Sequence, residues 1–165
     1  MTVTRIEKDA EALTMHVHAE FDATVERTWQ LWADPRKLER WWGPPTHPAT
    51  FTTHELRPGG RVAYYMTGPE GEQYHGIWDV REVDAPNSFS VDDSFADSDG
   101  NRVEQLPTTS MRVELTARDG GGTRVLITSR FPSLEAMDQV IAMGMEEGLR
   151  QAMGQMDAVL ETVPA

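Results

Sequence analysis

Residues 133–160 read SLEAMDQVIAMGMEEGLRQAMGQMDAVL, and this stretch decides the fold. Leu134, Met137, Ile141, Met145, Leu149, Ala152, Met156 and Leu160 recur at three- and four-residue intervals, which stacks them on one face of an α-helix. Ser133 is a residue that caps helices, and Glu135 suits the positive end of the first turn. Glu146 and Arg150 form an i,i+4 pair away from the apolar face. The pattern predicts one helix near 133–160, roughly 40 Å long at 1.5 Å per residue. Gly144, Gly148 and Gly154 each cost about 0.8–1 kcal/mol relative to Ala inside a helix. Either they allow close packing, or they mark a bend or a cavity.

The segment before this helix has the period of strands. Thr50–Leu56, the alternation of Val62, Tyr64 and Met66, and the run Tyr74, Gly76, Trp78, Val80 are separated by Arg57-Pro58-Gly59-Gly60 and Gly68-Pro69-Glu70-Gly71. Phe89 and Val91, then Met111, Val113 and Leu115, then Val125, Ile127, Ser129 and Phe131 continue the pattern. Connections this short argue an antiparallel meander, since parallel strands need long crossovers. Further upstream, Leu13–Phe21 (LTMHVHAEF) alternates cleanly and adds a seventh strand. Two short helices follow it. Thr24 caps one carrying Val25, Trp29 and Trp32; Asp34-Pro35 opens the other, with Leu38, Trp41 and Trp42 before Gly43-Pro44-Pro45.

The element order is therefore β–α–α–β6–α. The expectation is an α+β fold: a curved, seven-stranded antiparallel sheet around a C-terminal helix, in one domain spanning 1–165 with its core at about 13–160. The last helix is the only element large enough to cover the apolar face of such a sheet. A twisted sheet wrapped on one helix leaves space where the two diverge.

Composition narrows the function. The 165 residues include no Cys, which excludes disulfides, thiol catalysis and thiolate metal sites. Twenty-seven acidic against 15 basic residues give a net charge of -12, which disfavours nucleic acid and anionic membrane as partners. No apolar run is long enough to insert in a membrane, and the first residues lack the apolar middle of a signal peptide. A cytoplasmic location and no cofactor are the expectations.

Trp41-Trp42-Gly43-Pro44, Glu55-Leu56-Arg57-Pro58-Gly59-Gly60-Arg61, the run Tyr64–Gly71 and the ending Ala142–Ala152 resemble bacterial homologues of the activator of the heat-shock-protein-90 ATPase. The resemblance covers about Leu13 to Leu160. It implies the SRPBCC superfamily (START, birch-pollen-allergen-like) and its helix-grip fold. That superfamily includes lipid and hormone binders, polyketide cyclases and co-chaperone domains, so the fold does not select a reaction. The activator itself uses a separate amino-terminal domain to engage the chaperone, and this chain has no room for one. A chaperone partner is therefore not expected, whereas a homodimer is compatible with the edge strands.

The function expected is non-enzymatic binding of a hydrophobic, lipid-like small molecule between sheet and helix. Candidate ligand-binding residues on the sheet are Tyr64, Met66, Tyr74, Trp78, Phe89 and Val113. Trp41 and Trp42 are candidates to close the cavity, and Ile141, Met145 and Leu149 to line it from the helix. The molecule fitting this list is uncharged or weakly acidic. Alternatives are a cyclase- or hydrolase-like enzyme in the same cavity, or a protein-binding module of the activator kind. Asp93, His75 and Glu104 are the ionisable residues near the strands that acid–base chemistry would draw on. No residue is assigned as catalytic or metal-binding. His16, His18 and Glu20 share a strand face, but one pointing away from the core. Arg57–Arg61 lacks the Lys-Ser/Thr of a phosphate loop, and Asp97, Asp99 and Asn101 read as a solvated turn.

Overall fold

The computed structural model describes residues 3–161; the extreme ends of the expected 1–165 domain lie outside them. The chain runs β1 (Val3–Asp9), β2 (Thr14–Phe21), α1 (Val25–Ala33), α2 (Pro35–Leu38), β3 (Ala49–His54), β4 (Arg61–Thr67), β5 (Gln73–Asp84) and β6 (Ser88–Ala96). It continues through β7 (Thr109–Ala117), β8 (Thr123–Arg130), α3 (Leu134–Ala142), α4 (Met145–Met153) and α5 (Met156–Glu161). All strands join one sheet in the order β1-β2-β8-β7-β6-β5-β4-β3. Every neighbouring pair is antiparallel. This is the α+β helix-grip arrangement expected, with eight strands rather than seven.

The extra strand, β1, has no apolar alternation: of VTRIEKD only Val3 and Ile6 are half-buried. It forms by pairing with β2, and Asp9 stabilises the connection by accepting hydrogen bonds from the Glu11 and Ala12 amides at 3.0 and 3.1 Å. Charged side chains suit an edge strand, because they discourage further pairing. β2 then runs beside β8 from Thr14↔Arg130 to Phe21↔Thr123. Its residues Met15, Val17, Ala19 and Phe21 are all fully buried, as their alternation predicts.

The expected single C-terminal helix is corrected to three segments. The Ser133 hydroxyl caps α3, accepting from the Ala136 amide at 3.0 Å. The first break falls at Gly144, whose φ of 92° is left-handed and cannot continue a right-handed helix. The second falls at Gly154-Gln155, where the Gln155 side-chain amide donates to the carbonyls of Gly43 at 2.7 Å and Trp41 at 3.3 Å. That contact ties the helical segment to the Trp-Trp-Gly-Pro corner. Of the expected face, Met137, Ala152, Met156 and Leu160 are buried and Ile141, Met145 and Leu149 half-buried, whereas Leu134 is exposed and Val140, Met153 and Val159 are buried in addition. A second correction is local: α2 ends at Leu38, and Trp41 and Trp42 follow in a turn in which the Trp42 amide still reaches the Leu38 carbonyl at 2.9 Å.

The two breaking and non-breaking glycines have opposite expected effects. Gly144→Ala should cost about 1–2 kcal/mol, since a Cβ in the left-handed region crowds its own backbone. Gly148→Ala should gain about 0.5–1 kcal/mol, because Gly148 lies inside α4 and a Cβ there meets nothing within 4 Å. Urea unfolding of both variants checks the pair; equal effects would contradict a left-handed break at 144.

All five tryptophans lie in the core. Trp32, Trp41, Trp42 and Trp78 form a chain of edge-to-face contacts with centroids 5.2, 5.5 and 5.0 Å apart. Phe89 stacks on Trp78 at 6.0 Å, and Trp41 donates its indole N–H to the Leu31 carbonyl at 2.9 Å. Arg27 reaches the Leu160 carbonyl at 2.9 Å, fixing α1 to the end of α5. One end of the space between sheet and helices is thereby filled. Among the described residues, no helix is long and apolar enough to cross a membrane.

Candidate functional site

At the other end, α3 and α4 roof a cavity of about 530 Å³ over the floor made by β4 to β8. Its walls are mostly apolar: Met66, Met111, Val140, Met145 and Leu149 contribute, with Trp42 and Tyr64 at the boundary with the core. Gly148 faces it without a side chain and leaves space open. Tyr74 and Met143 border it while being 56% and 54% exposed, two of the three large hydrophobic side chains that the described residues leave in solvent. His47 packs its ring 5.8 Å from Tyr74 at the same rim.

The strand register explains the polar part of the floor. On β6, Phe89, Val91 and Asp93 point inward, and Asp93 sits between Trp78 of β5 and Thr109 of β7. Tyr64 of β4 lies opposite Gly76 of β5, and its ring extends across that backbone. A Cβ at residue 76 would stand only 2.5 Å from the Tyr64 Cζ and Oη atoms. Only Gly permits this placement, which brings the Tyr64 ring to the same wall as Asp93.

Asp93 is half-buried on the cavity wall. Loss of water around its carboxyl pushes its pKa up to about 7, and the nearby Tyr64 hydroxyl offsets this only in part. The Tyr64 hydroxyl is shifted upward in turn, first by burial and then by the Asp93 charge, so it stays protonated. The indole N–H groups of Trp42 and Trp78 approach the same hydroxyl and pull weakly the other way; neither completes a standard hydrogen bond.

Of the eleven candidate ligand-binding residues, Trp42, Tyr64, Met66, Tyr74, Met145 and Leu149 come together around the cavity. Trp41, Trp78, Phe89 and Val113 are fully buried in the core, off its surface. Ile141 is half-buried and packs on that core. Inward alternation cannot separate the two groups, because filled and open ends share one sheet face. Asp93 stood out in sequence as an ionisable strand residue, but its depth depends on strands distant in the chain. Pro44, His47 and Thr109 also line the cavity with no sequence signal beyond their place near a turn or strand end.

The remaining ionisable candidates sit elsewhere. Glu104 is exposed and 3.9 Å from Arg102. His75 packs its ring 5.4 Å from Tyr65 on the outer sheet face while touching the cavity rim. On the outer face, His18 meets Glu7 at 2.9 Å and Glu20 meets Arg118 at 3.1 Å. The His18 hydrogen bond, with help from Arg5, lowers the Glu7 pKa. Among the described residues, no group of three or more His, Asp or Glu is placed to hold a metal ion.

Comparison with known proteins gives the following. The family described as Activator of Hsp90 ATPase homolog 1-like protein matches residues 22–161. A Mycobacterium smegmatis protein of known crystal structure is 48% identical, with 99% of each chain covered and a TM-score of 0.90. An Arthrobacter aurescens protein solved by NMR is 51% identical over 99% of this chain and 94% of that one, with a TM-score of 0.92. DynU16, from the dynemicin biosynthetic locus, shares the fold at 17% identity, covering 91% of this chain and 48% of its own, with a TM-score of 0.68. No curated protein matches the chain.

Proposed function

Because the chain belongs to the family of Activator of Hsp90 ATPase homolog 1-like proteins, we propose that it uses the open end of its helix-grip fold to bind a hydrophobic small molecule. The observation carrying this reading is the cavity of about 530 Å³, mostly apolar, with exposed Tyr74 and Met143 at its rim. A volume of that order suits a drug-sized ligand, and exposed apolar residues at a mouth mark an entrance. Trp42, Tyr64, Met66, Tyr74, Met145 and Leu149 are the contacts proposed. Trp41, Trp78, Phe89, Val113 and Ile141 hold that wall from behind. The methionines adapt to ligand shape.

An apolar fluorescent probe titrated into wild type and Met145→Trp tests the reading. Met145 is half-buried on the cavity, so the larger ring enters open space. Binding should weaken at least about tenfold, equivalent to about 1.4 kcal/mol, while stability in urea changes by less than about 1 kcal/mol. Wild type without probe binding, with a variant that loses several kcal/mol, would mean a packed core and favour a protein-binding role like that in the family description.

A second reading, an enzyme of the cyclase or hydrolase kind, draws on Asp93. A carboxyl titrating near 7 on a cavity wall is suited to acid–base chemistry. Burial raises it and Tyr64 offsets only part of the rise, so such chemistry would start from this carboxyl, with the Tyr64 hydroxyl on the same wall.

A further inference from the structure

We propose that the cavity selects an apolar molecule carrying a protonated amine, seated with its nitrogen against the Asp93 carboxylate. The proposal rests on the cavity being a ligand site and names the class of ligand.

Its first support is the placement of the carboxyl. Asp93 is half-buried on the cavity wall, beside the apolar Met111 and the Tyr64 ring. An ionised carboxylate can only accept hydrogen bonds. What remains for a ligand at Asp93 is to donate.

The second support is charge. No Lys or Arg lines the cavity, and no basic side chain acts on Asp93. The other titratable side chains on the lining are Tyr64 of β4, Tyr74 and His75 of β5, and His47 of the rim. β7 presents Thr109 and Met111, and the roof presents Val140, Met143, Met145 and Leu149. The acids of α4 are engaged elsewhere: Glu146 meets Lys8 at 2.6 Å, and Glu147 meets Arg150 at 3.6 Å. An uncompensated carboxylate in an apolar cavity is costly, and a ligand cation repays that cost. A ligand carboxylate would add to it, so the weakly acidic molecule admitted by the sequence reading is disfavoured.

The third support is the surrounding ring system. The Trp42 and Tyr64 rings, 6.1 Å apart, line the same cavity as Asp93, and aromatic faces attract ammonium groups. An alcohol would use the carboxylate as acceptor but would gain neither the charge pairing nor the cation–π contact.

The test uses three probes with the same apolar body: 1-naphthylmethylamine, 1-naphthylmethanol and 1-naphthoic acid. Their affinities are measured by calorimetry on wild type and Asp93→Asn at about pH 8, where Asp93 is ionised. The amine should bind wild type at least about tenfold more tightly than the alcohol, with the acid weakest. In Asp93→Asn the amine-to-alcohol ratio should fall to about one. At about pH 6, amine binding should also release a proton, seen as a dependence of the heat on buffer ionisation enthalpy, and alcohol binding should not. Met145→Trp, which leaves Asp93 in place, should weaken all probes together and so locate them in the cavity. Alcohol and amine binding equally to wild type would overturn the amine inference and leave the cavity reading standing. Failure of all three probes to bind would overturn both.

Discussion

Asp93→Asn is expected to stabilise the protein at about pH 8, by on the order of 2–4 kcal/mol, and to do little near pH 4. Burial raises the folded-state pKa of this carboxyl from 3.8 to about 7. Between those values the folded protein holds a proton that the unfolded chain has released. Stability from the neutral acid is therefore complete below about pH 4 and is lost as pH rises through about 7. An amide can keep an interaction with Tyr64 and never ionises, so the variant escapes the loss. Urea unfolding of both proteins between about pH 4 and 8 checks this. The other carboxyl groups titrate in both, so the difference between the curves isolates Asp93. Parallel curves would show that the carboxyl is solvated in the folded protein.

Gly76→Ala should produce the next largest effect. The new Cβ would lie 2.5 Å from Tyr64 Cζ, closer than real side chains approach, so the ring must move off the β5 backbone. Overpacking of this kind costs about 1–3 kcal/mol. It also moves the Tyr64 hydroxyl away from Asp93, which should raise the Asp93 pKa further, since that hydroxyl lowers it. The same substitution in a Tyr64→Leu background should be nearly free of cost, because the colliding atoms are gone. A double-mutant cycle by urea unfolding measures the coupling. Additive effects would mean that Gly76 serves the strand backbone rather than the tyrosine.

Much of the fold could be read from local pattern. Thr24, Asp34 and Ser133 all cap the helices assigned to them, accepting from the amides of Arg27, Arg36 and Ala136. From Ala49 onward the strands fall where their periodicity places them, with clear alternation in β7 and β8. β1 escaped because its residues carry no pattern of their own and are ordered by the edge of β2. The helix breaks escaped for a different reason. Periodicity reports which side is apolar, and it continues through Gly144 even though one backbone angle there has changed sign.

The site was less legible than the fold. Tyr64, Met66 and Tyr74 lie on the cavity and Trp78 and Phe89 do not, although all five belong to strands. What divides them is position along the strands relative to α1 and α5, a long-range property. Trp41 and Trp42 are adjacent in sequence, yet only the second reaches the cavity. Asp93 is an ordinary acidic residue in the sequence. Its altered chemistry comes from burial, and Tyr64, 29 positions earlier in the chain with Gly76 making room for its ring, offsets only part of it.

The division of the helical layer at Gly144 and Gly154 bears on how such a protein diversifies. The tryptophans and α5 are buried and fastened, whereas Met143, Met145, Gly148 and Leu149 of the roof are half-buried or exposed. Substitutions at the second set change the volume and chemistry offered to a ligand while leaving the first set intact. Small costs at exposed positions are tolerated where the same change in a filled core is eliminated. On the proposed ligand-binding reading, a lineage built on this chain exchanges one ligand for another over a few roof substitutions, with its scaffold conserved.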